Sequence, residues 1–191
     1  VSVKRPRVTW KAELLNSISE NSEPQWVAGF MSGTSLDAVD AALILTDGEQ
    51  VLDFGGTAER KYTNEERLTL QRATDAARAW NWNGVKPGEA FEAACQVITS
   101  THRAAWDQLL SAWSGPKPEL AGVHGQTLLH RAPMAGVNGA TLQLIDAPAM
   151  QSALGVPLAF DFRSDDVAAG GQGAPLAPAY HVALLDRLGD E

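Results

Sequence analysis

The stretch Gly29-Phe30-Met31-Ser32-Gly33-Thr34-Ser35-Leu36-Asp37-Ala38-Val39-Asp40 constrains this chain more than any other. A short apolar run from Trp26 leads into a small hydroxyl-rich turn, and a second run, Val39 to Leu45, leads out of it. Two such runs joined that tightly are neighbouring antiparallel strands. The turn puts Ser32, Gly33, Thr34 and Ser35 in succession. Glycine lets a ligand approach the backbone, and adjacent N–H groups in a turn form an anion-binding nest. A polyphosphate is the guest that suits it. The alternative is a plain hairpin turn whose hydroxyls satisfy their own backbone. Asp37 and Asp40 stand at the exit. Carboxylates beside a phosphate repel it unless a hard cation stands between, so the pair points to Mg²⁺.

The strand pattern continues. Asp47-Gly48 is a hairpin signal, followed by a third strand over Val51–Ala58. In the second strand Asp40 shares a face with Ala42 and Ile44. Thr63 with Glu66 forms a capping box for a helix whose pattern runs through Leu68, Leu70, Ala73 and Ala77. Gly84 and Pro87-Gly88 separate it from a second helix, from about Glu89 to Trp113. Its apolar stripe reads Phe91, Cys95, Ile98, Trp106, Leu109 and Trp113, which makes Cys95 a packed thiol and leaves His102 on the surface.

After the Gly115-Pro116 break, Leu120–Val123 is a short buried strand that ends at His124-Gly125-Gln126-Thr127. Polar residues just past a strand's carboxyl end are where open α/β sheets place ligands. A loop in which His124 caps local backbone is the plainer reading. Thr141–Ile145 is another strand. Asp146 caps a helix with Pro148 in its first turn, and Gly155 ends it. Pro157–Phe160 leads into Asp161-Phe162-Arg163-Ser164-Asp165-Asp166 and a glycine-rich loop, Gly170 to Gly173. A last helix covers Leu176 to Leu188, with His181 inside it.

Charge narrows the partners. Four of the 15 basic residues (Lys4, Arg5, Arg7, Lys11) fall in the first eleven positions, leaving 11 against 23 acidic residues beyond them. A body that acidic is a poor nucleic-acid binder. The lone Cys95 rules out an internal disulfide and fits a reducing compartment. No apolar run approaches a membrane span, and the basic N-terminus lacks the apolar core of a secretory signal. The loops lack the Gly-x₄-Gly-Lys-[Ser/Thr] of a P-loop and the Gly-x-Ser-x-Gly of a nucleophile elbow. Residues 1–24 read as an N-terminal extension, 25–165 as a nucleotide-phosphate-binding lobe, and 166–191 as a glycine-rich loop and helix leading onward.

Three antiparallel strands, a phosphate-type turn between the first two, then alternating helix and strand resemble the first lobe of the sugar kinase/Hsp70/actin superfamily. The resemblance implies an α/β, actin-like ATPase (ribonuclease H-like) fold. Met31-Ser32-Gly33-Thr34-Ser35-Leu36-Asp37, His124-Gly125-Gln126-Thr127 with His130-Arg131, Thr141-Leu142-Gln143-Leu144, Asp161-Phe162-Arg163 and Gly170 to Leu176 resemble, in that order, anhydro-N-acetylmuramic acid kinase. The likeness covers about Trp26 to His181. It implies a bacterial cytoplasmic enzyme of cell-wall recycling that uses ATP and Mg²⁺. Such an enzyme opens the anhydro bridge of 1,6-anhydro-N-acetylmuramic acid with water and phosphorylates the freed O6. By the same likeness Gly33, Thr34, Ser35, Leu36, Asp37, Ala38, Val39 and Asp40 form the ATP-phosphate segment. Asp37 holds Mg²⁺, and His124, Gln126, Asp161 and Arg163 stand on the sugar side.

Two positions depart from the family. Ala38 and Ile145 stand where glycine is usual, and Ala38 would cost roughly 1 kcal/mol if its φ had to be positive. Family members are also roughly twice as long. The resemblance therefore places the catalytic base in a C-terminal half that lies beyond these residues, and no base is assigned here. It suggests a homodimer of full-length chains. A non-catalytic one-lobe module that binds nucleotide or a partner, and a kinase of another sugar, are the competing readings.

Overall fold

The computed structural model describes residues 23–189; the expected N-terminal extension lies, up to residue 22, outside the described residues. Strands β1 (Gln25–Ser32), β2 (Ala38–Thr46) and β3 (Val51–Lys61) form an antiparallel meander. The β2–β3 turn is held as its sequence predicts. The Asp47 carboxylate accepts from the amides of Glu49 (2.9 Å) and Gln50 (2.8 Å), and Gly48 takes φ +101°. β3 runs three residues beyond the expected end and pairs back to Ala38 across two irregularities in register.

Helices α1 (Asn64–Trp80) and α2 (Gly88–Ala112) then cross one face of the sheet. A crossover that long returns the chain parallel to where it began. Accordingly β4 (Leu120–Val123) lies parallel to β1, and β7 (Leu158–Phe160) parallel to β4, giving the order β3-β2-β1-β4-β7. Between them come a two-stranded ribbon, β5 (Gln126–Arg131) and β6 (Ala140–Leu144), and helix α3 (Ala147–Leu154). Helix α3 starts as predicted: the Asp146 carboxylate accepts from the Ala149 amide at 3.0 Å, and Gly155 closes it with φ +70°. A one-turn helix, α4 (Ser164–Ala168), and α5 (Leu176–Gly189) complete the described chain.

The core follows the two periodicities. Val39, Ala41 and Leu43 of β2 point at the helices and are buried, while Asp40 and Ala42 point the other way and are exposed. Leu70, Ala73 and Ala77 of α1 meet Phe91, Ala94, Ile98, Ala105 and Leu109 of α2 over this face. Each fully buried large side chain here, such as Leu70, Ile98 or Leu109, contributes about 1.5–3 kcal/mol.

Two sequence expectations shift, and a third holds. His102 is 1% exposed rather than on the surface. It lies four residues beyond Ile98, so one helical turn carries it along the buried stripe. Its Nδ1 bonds the Ile98 carbonyl at 2.8 Å and its ring sits 5.7 Å from Phe30. Leu68, assigned to the buried face of α1, is instead 57% exposed. Cys95 is half-buried beside the stripe, and burial pushes its thiol pKa up, which suits a packed thiol and not a nucleophile.

The capping box of α1 does double duty. Glu66 accepts from the Thr63 amide at 2.8 Å while its own amide donates to Thr63 Oγ1 at 3.3 Å. The same carboxylate receives both terminal nitrogens of Arg60 in β3, one of them at 2.7 Å. The Arg60 bond, foremost, holds the Glu66 carboxyl below its ordinary value. Glu66→Ala should therefore cost about 2 kcal/mol, more than a cap alone, read as a drop in urea midpoint with unchanged m-value.

The opposite face of the sheet is open. Met31 and Phe54 are about half exposed there, and α5 buries none of its side chains. Among the described residues its links to the sheet are slight: Arg187 lies 4.9 Å over the Phe54 ring and donates to the Val51 carbonyl at 3.2 Å.

Candidate functional site

β1, β4 and β7 are parallel and in register at Phe30, Val123 and Phe160, so the three segments that follow them leave from one edge. Those segments are 33–37, 124–125 and 161–163, which hold most of the sequence-predicted site residues. Two side-chain links tie the three together. Gln126 Nε2 donates to the Gly33 carbonyl at 3.2 Å, joining the first to the second, and Arg163 Nε donates to His124 Nε2 at 2.7 Å, joining the second to the third.

The first segment is a closed turn. The Leu36 amide donates to the Gly33 carbonyl at 3.2 Å, and Leu36 takes φ +57° with its side chain 4% exposed. A buried leucine in the left-handed region is strained, and such strain persists only where surroundings hold it. Three donors do so. Gln126 and Leu36 share the Gly33 carbonyl, Arg67 Nε reaches the Leu36 carbonyl at 3.1 Å, and the Tyr62 amide reaches the Asp37 carbonyl at 3.0 Å. With those carbonyls drawn inward, the amides of Thr34 and Ser35 make no hydrogen bond among the described residues. Both residues are exposed, as are the Asp37 and Asp40 carboxylates. Ala38 is not among the residues with positive φ and begins β2 opposite Lys61, so the alanine there carries no backbone cost. Ile145 likewise has no positive φ.

The second and third segments form a polar pair. Because Arg163 donates to His124 Nε2, that nitrogen is bare, the ring is neutral, and Nδ1–H donates to the Gly125 carbonyl at 2.9 Å. Burial holds the His124 pKa down; the Gly125 carbonyl pulls it up, and the Arg163 charge lowers it further. The other guanidinium nitrogens of Arg163 make no hydrogen bond among the described residues. Asp161 takes φ +59° and accepts from Ser164 Oγ. A non-glycine residue held left-handed at a sheet's carboxyl edge is the kind of strain found at ligand sites.

Gln126 stands differently from the sugar-side placement its sequence suggests. It is 1% exposed, and its amide is spent on Ser32 and Gly33. The sequence reads His124–Thr127 as one polar loop, whereas β5 begins at Gln126. The glycine-rich loop is organised by Asp166, whose carboxylate accepts from the Gly173 amide at 2.6 Å. A cleft of about 200 Å³ opens between the Gly33–Leu36 turn, α1 and β5, lined by Thr34, Gln71, Thr74, Arg78, Thr127 and His130 among others. A wider, shallow depression of about 500 Å³ beside α3 contains no charged side chain and lies away from this edge. No cluster of three or more His, Cys, Asp or Glu able to hold a metal occurs among the described residues.

A mixed five-stranded sheet with an antiparallel meander first and an amide-presenting turn between its first two strands defines the first lobe of an actin-like ATPase. The family model for anhydro-N-acetylmuramic acid kinase matches residues 25–190. Three curated proteins carrying that name are similar to this chain. The one from Rhizobium rhizogenes is 46% identical over 170 residues, covering 87% of this chain and 46% of the relative. The one from Phenylobacterium zucineum is 49% identical over 169 residues, 86% of this chain and 45% of the relative. The one from Caulobacter vibrioides is 47% identical over 161 residues, 82% and 43%. The chain belongs to the anhydro-N-acetylmuramic acid kinase family, and it spans about half the length of the curated relatives it matches. No helix among the described residues is long and apolar enough to cross a membrane.

Proposed function

We propose that this chain is the first, phosphate-binding lobe of an ATP-dependent kinase of 1,6-anhydro-N-acetylmuramic acid. The activity uses water to open the anhydro bridge and yields N-acetylmuramic acid 6-phosphate, a bacterial cytoplasmic step of cell-wall recycling. The observation that carries this reading is the turn at Gly33–Leu36, whose carbonyls are tied inward and whose Thr34 and Ser35 amides are left for an anion. Phosphoryl transfer needs positioning and charge neutralisation more than covalent chemistry, and a rigid amide-lined turn supplies the first. Residues 33–40 would hold the ATP phosphates. Asp37 would hold Mg²⁺ through water, the ion neutralising charge on the transferring phosphoryl group. His124 orients Arg163, whose free N–H groups, with Asp161, face the sugar. The half of the relatives not matched here would supply the second lobe, cover the open sheet face and complete the dimer.

The test is ATP-dependent phosphorylation of the anhydro-sugar by the chain completed with the second half of a relative such as that of Rhizobium rhizogenes. Formation of the 6-phosphate, lost on Asp37→Ala, is the expected result. A folded completed protein that makes no phosphorylated sugar overturns the reading. The alternative reading is a module that binds ATP without turnover. It predicts ATP binding by these 191 residues and no product from the completed protein.

A further inference from the structure

Behind the phosphate turn lies a buried polar chain that no part of the reaction uses. Ser32 and Gln126 are 2% and 1% exposed, at the end of β1 and the start of β5. Ser32 Oγ donates to Gln126 Oε1 at 2.5 Å. A hydroxyl carries one proton, so the 2.8 Å bond between Ser32 Oγ and Tyr62 OH must run from tyrosine to serine. Tyr62 is 6% exposed, and burial pushes its phenol pKa up, so it stays a donor. The proton order is therefore fixed in one direction: Tyr62 to Ser32, Ser32 to Gln126, Gln126 to the Gly33 carbonyl. The last acceptor is the backbone of the turn. The amide oxygen of Gln126 is engaged by Ser32, so the side chain cannot flip without leaving two buried groups unpaired.

We propose that Gln126, with Ser32 and Tyr62 behind it, is a positioning residue that sets the orientation of the Gly33–Leu36 turn rather than a contact to the sugar. A chain with one permitted proton order has one permitted amide orientation, and that orientation decides which way the Gly33 peptide faces. The Thr34 N–H shares a trans peptide plane with the Gly33 carbonyl and points the opposite way, so turning that carbonyl inward turns this amide out. Tyr62 is engaged twice, since its own backbone amide holds the Asp37 carbonyl at the far side of the turn. The same residue thus braces both ends. The consequence for ligand binding rests on the phosphate-site reading above; the bracing itself does not.

The experiment uses the whole 191-residue chain, with Gln126→Met as the first variant and Tyr62→Phe as the second. Methionine keeps the length and burial of glutamine and removes the bond to Gly33. Phenylalanine keeps the ring in the core and removes only the hydroxyl, so it decides the matter if Gln126→Met does not fold. The readouts are residue-resolved amide exchange without ligand and binding of inorganic tripolyphosphate with Mg²⁺. Exchange of the Leu36 amide should accelerate about tenfold, the value of one ordinary hydrogen bond, while the Leu43 and Ile98 amides stay unchanged. Tripolyphosphate affinity should fall by a similar factor. Unchanged Leu36 exchange, or equal acceleration throughout the core, overturns the proposal. If the unaltered chain binds no tripolyphosphate but Leu36 exchange responds as expected, the bracing stands and the phosphate reading fails.

Discussion

Lowering the pH from 7 to 4 should destabilise the folded lobe by about 3 kcal/mol, and His102 should carry most of that loss. Its pKa falls from 6.5 to about 4 because the ring is buried, outweighing the bond to the Ile98 carbonyl; the nearby His124 lowers it further. A histidine depressed on folding binds its proton more readily in the unfolded chain. Stability is therefore fully present above the unfolded value near 6.5 and is lost as pH falls through that value towards 4. His124 shifts in the same direction and adds to the slope. The Nε2 of His102 has no hydrogen-bond partner among the described residues, so protonation would add a buried charge with none of them to receive it. Urea unfolding at pH 7, 5.5 and 4.5 measures the slope. His102→Phe removes the titrating group while keeping a ring beside Phe30 and Trp106, and should flatten most of it. A wild-type stability that does not change between pH 7 and 4.5, or a variant that keeps the full slope, contradicts the assignment.

The residues that hide from sequence reading are those where polarity and burial disagree. His102 and Gln126 are polar side chains, and both are read outward from sequence although each is 1% exposed. The alternation that would reveal β5 is Gln126 and Leu128 buried, Thr127 and Leu129 half-buried, and its first member is an amide. Only the third-dimensional partner, Ser32, 94 residues earlier, makes that burial affordable. By contrast the meander, the capping box at Thr63, the Asp146 cap and the Asp47-Gly48 turn are local devices whose signals lie within four residues, and each forms as expected. The candidate site sits between these cases. That three loops converge follows from three parallel strands ending together, which the spacing of elements foreshadows. Which side chain faces the cleft and which braces the loop behind it depends on long-range pairing that no local pattern encodes. One-turn α4 is missed for a related reason: Ser164, Asp165 and Asp166 read as loop until the Asp166 carboxylate and backbone carbonyl are seen accepting from the Gly173 and Gly171 amides.

Gly125→Ala should be the most damaging small substitution at this edge, because Gly125 separates the two residues that join the three loops. Its φ is +75°, and a Cβ there would stand 2.8 Å from the Leu144 carbonyl oxygen. The first fact alone costs an alanine about 1 kcal/mol. The second cannot be relieved by a side-chain turn, since Leu144 is backbone-paired with Gln126 across the ribbon. Either β6 moves or Gly125 does. If Gly125 moves, its carbonyl leaves His124 Nδ1, and His124 loses the orientation that receives Arg163. If β6 moves, Gln126 follows its partner and releases Gly33. Either path costs about 3 kcal/mol in total. Gly136 supplies the comparison: its φ is +78°, but nothing lies within 4 Å of a Cβ built there. Gly136→Ala should cost about 1 kcal/mol and leave tripolyphosphate binding intact. Gly125→Ala should lower the urea midpoint by two to three times as much and weaken that binding in the fraction that stays folded. Equal costs at the two glycines would mean that the ribbon yields freely at Leu144, and that the three loops are not held to one another through this point.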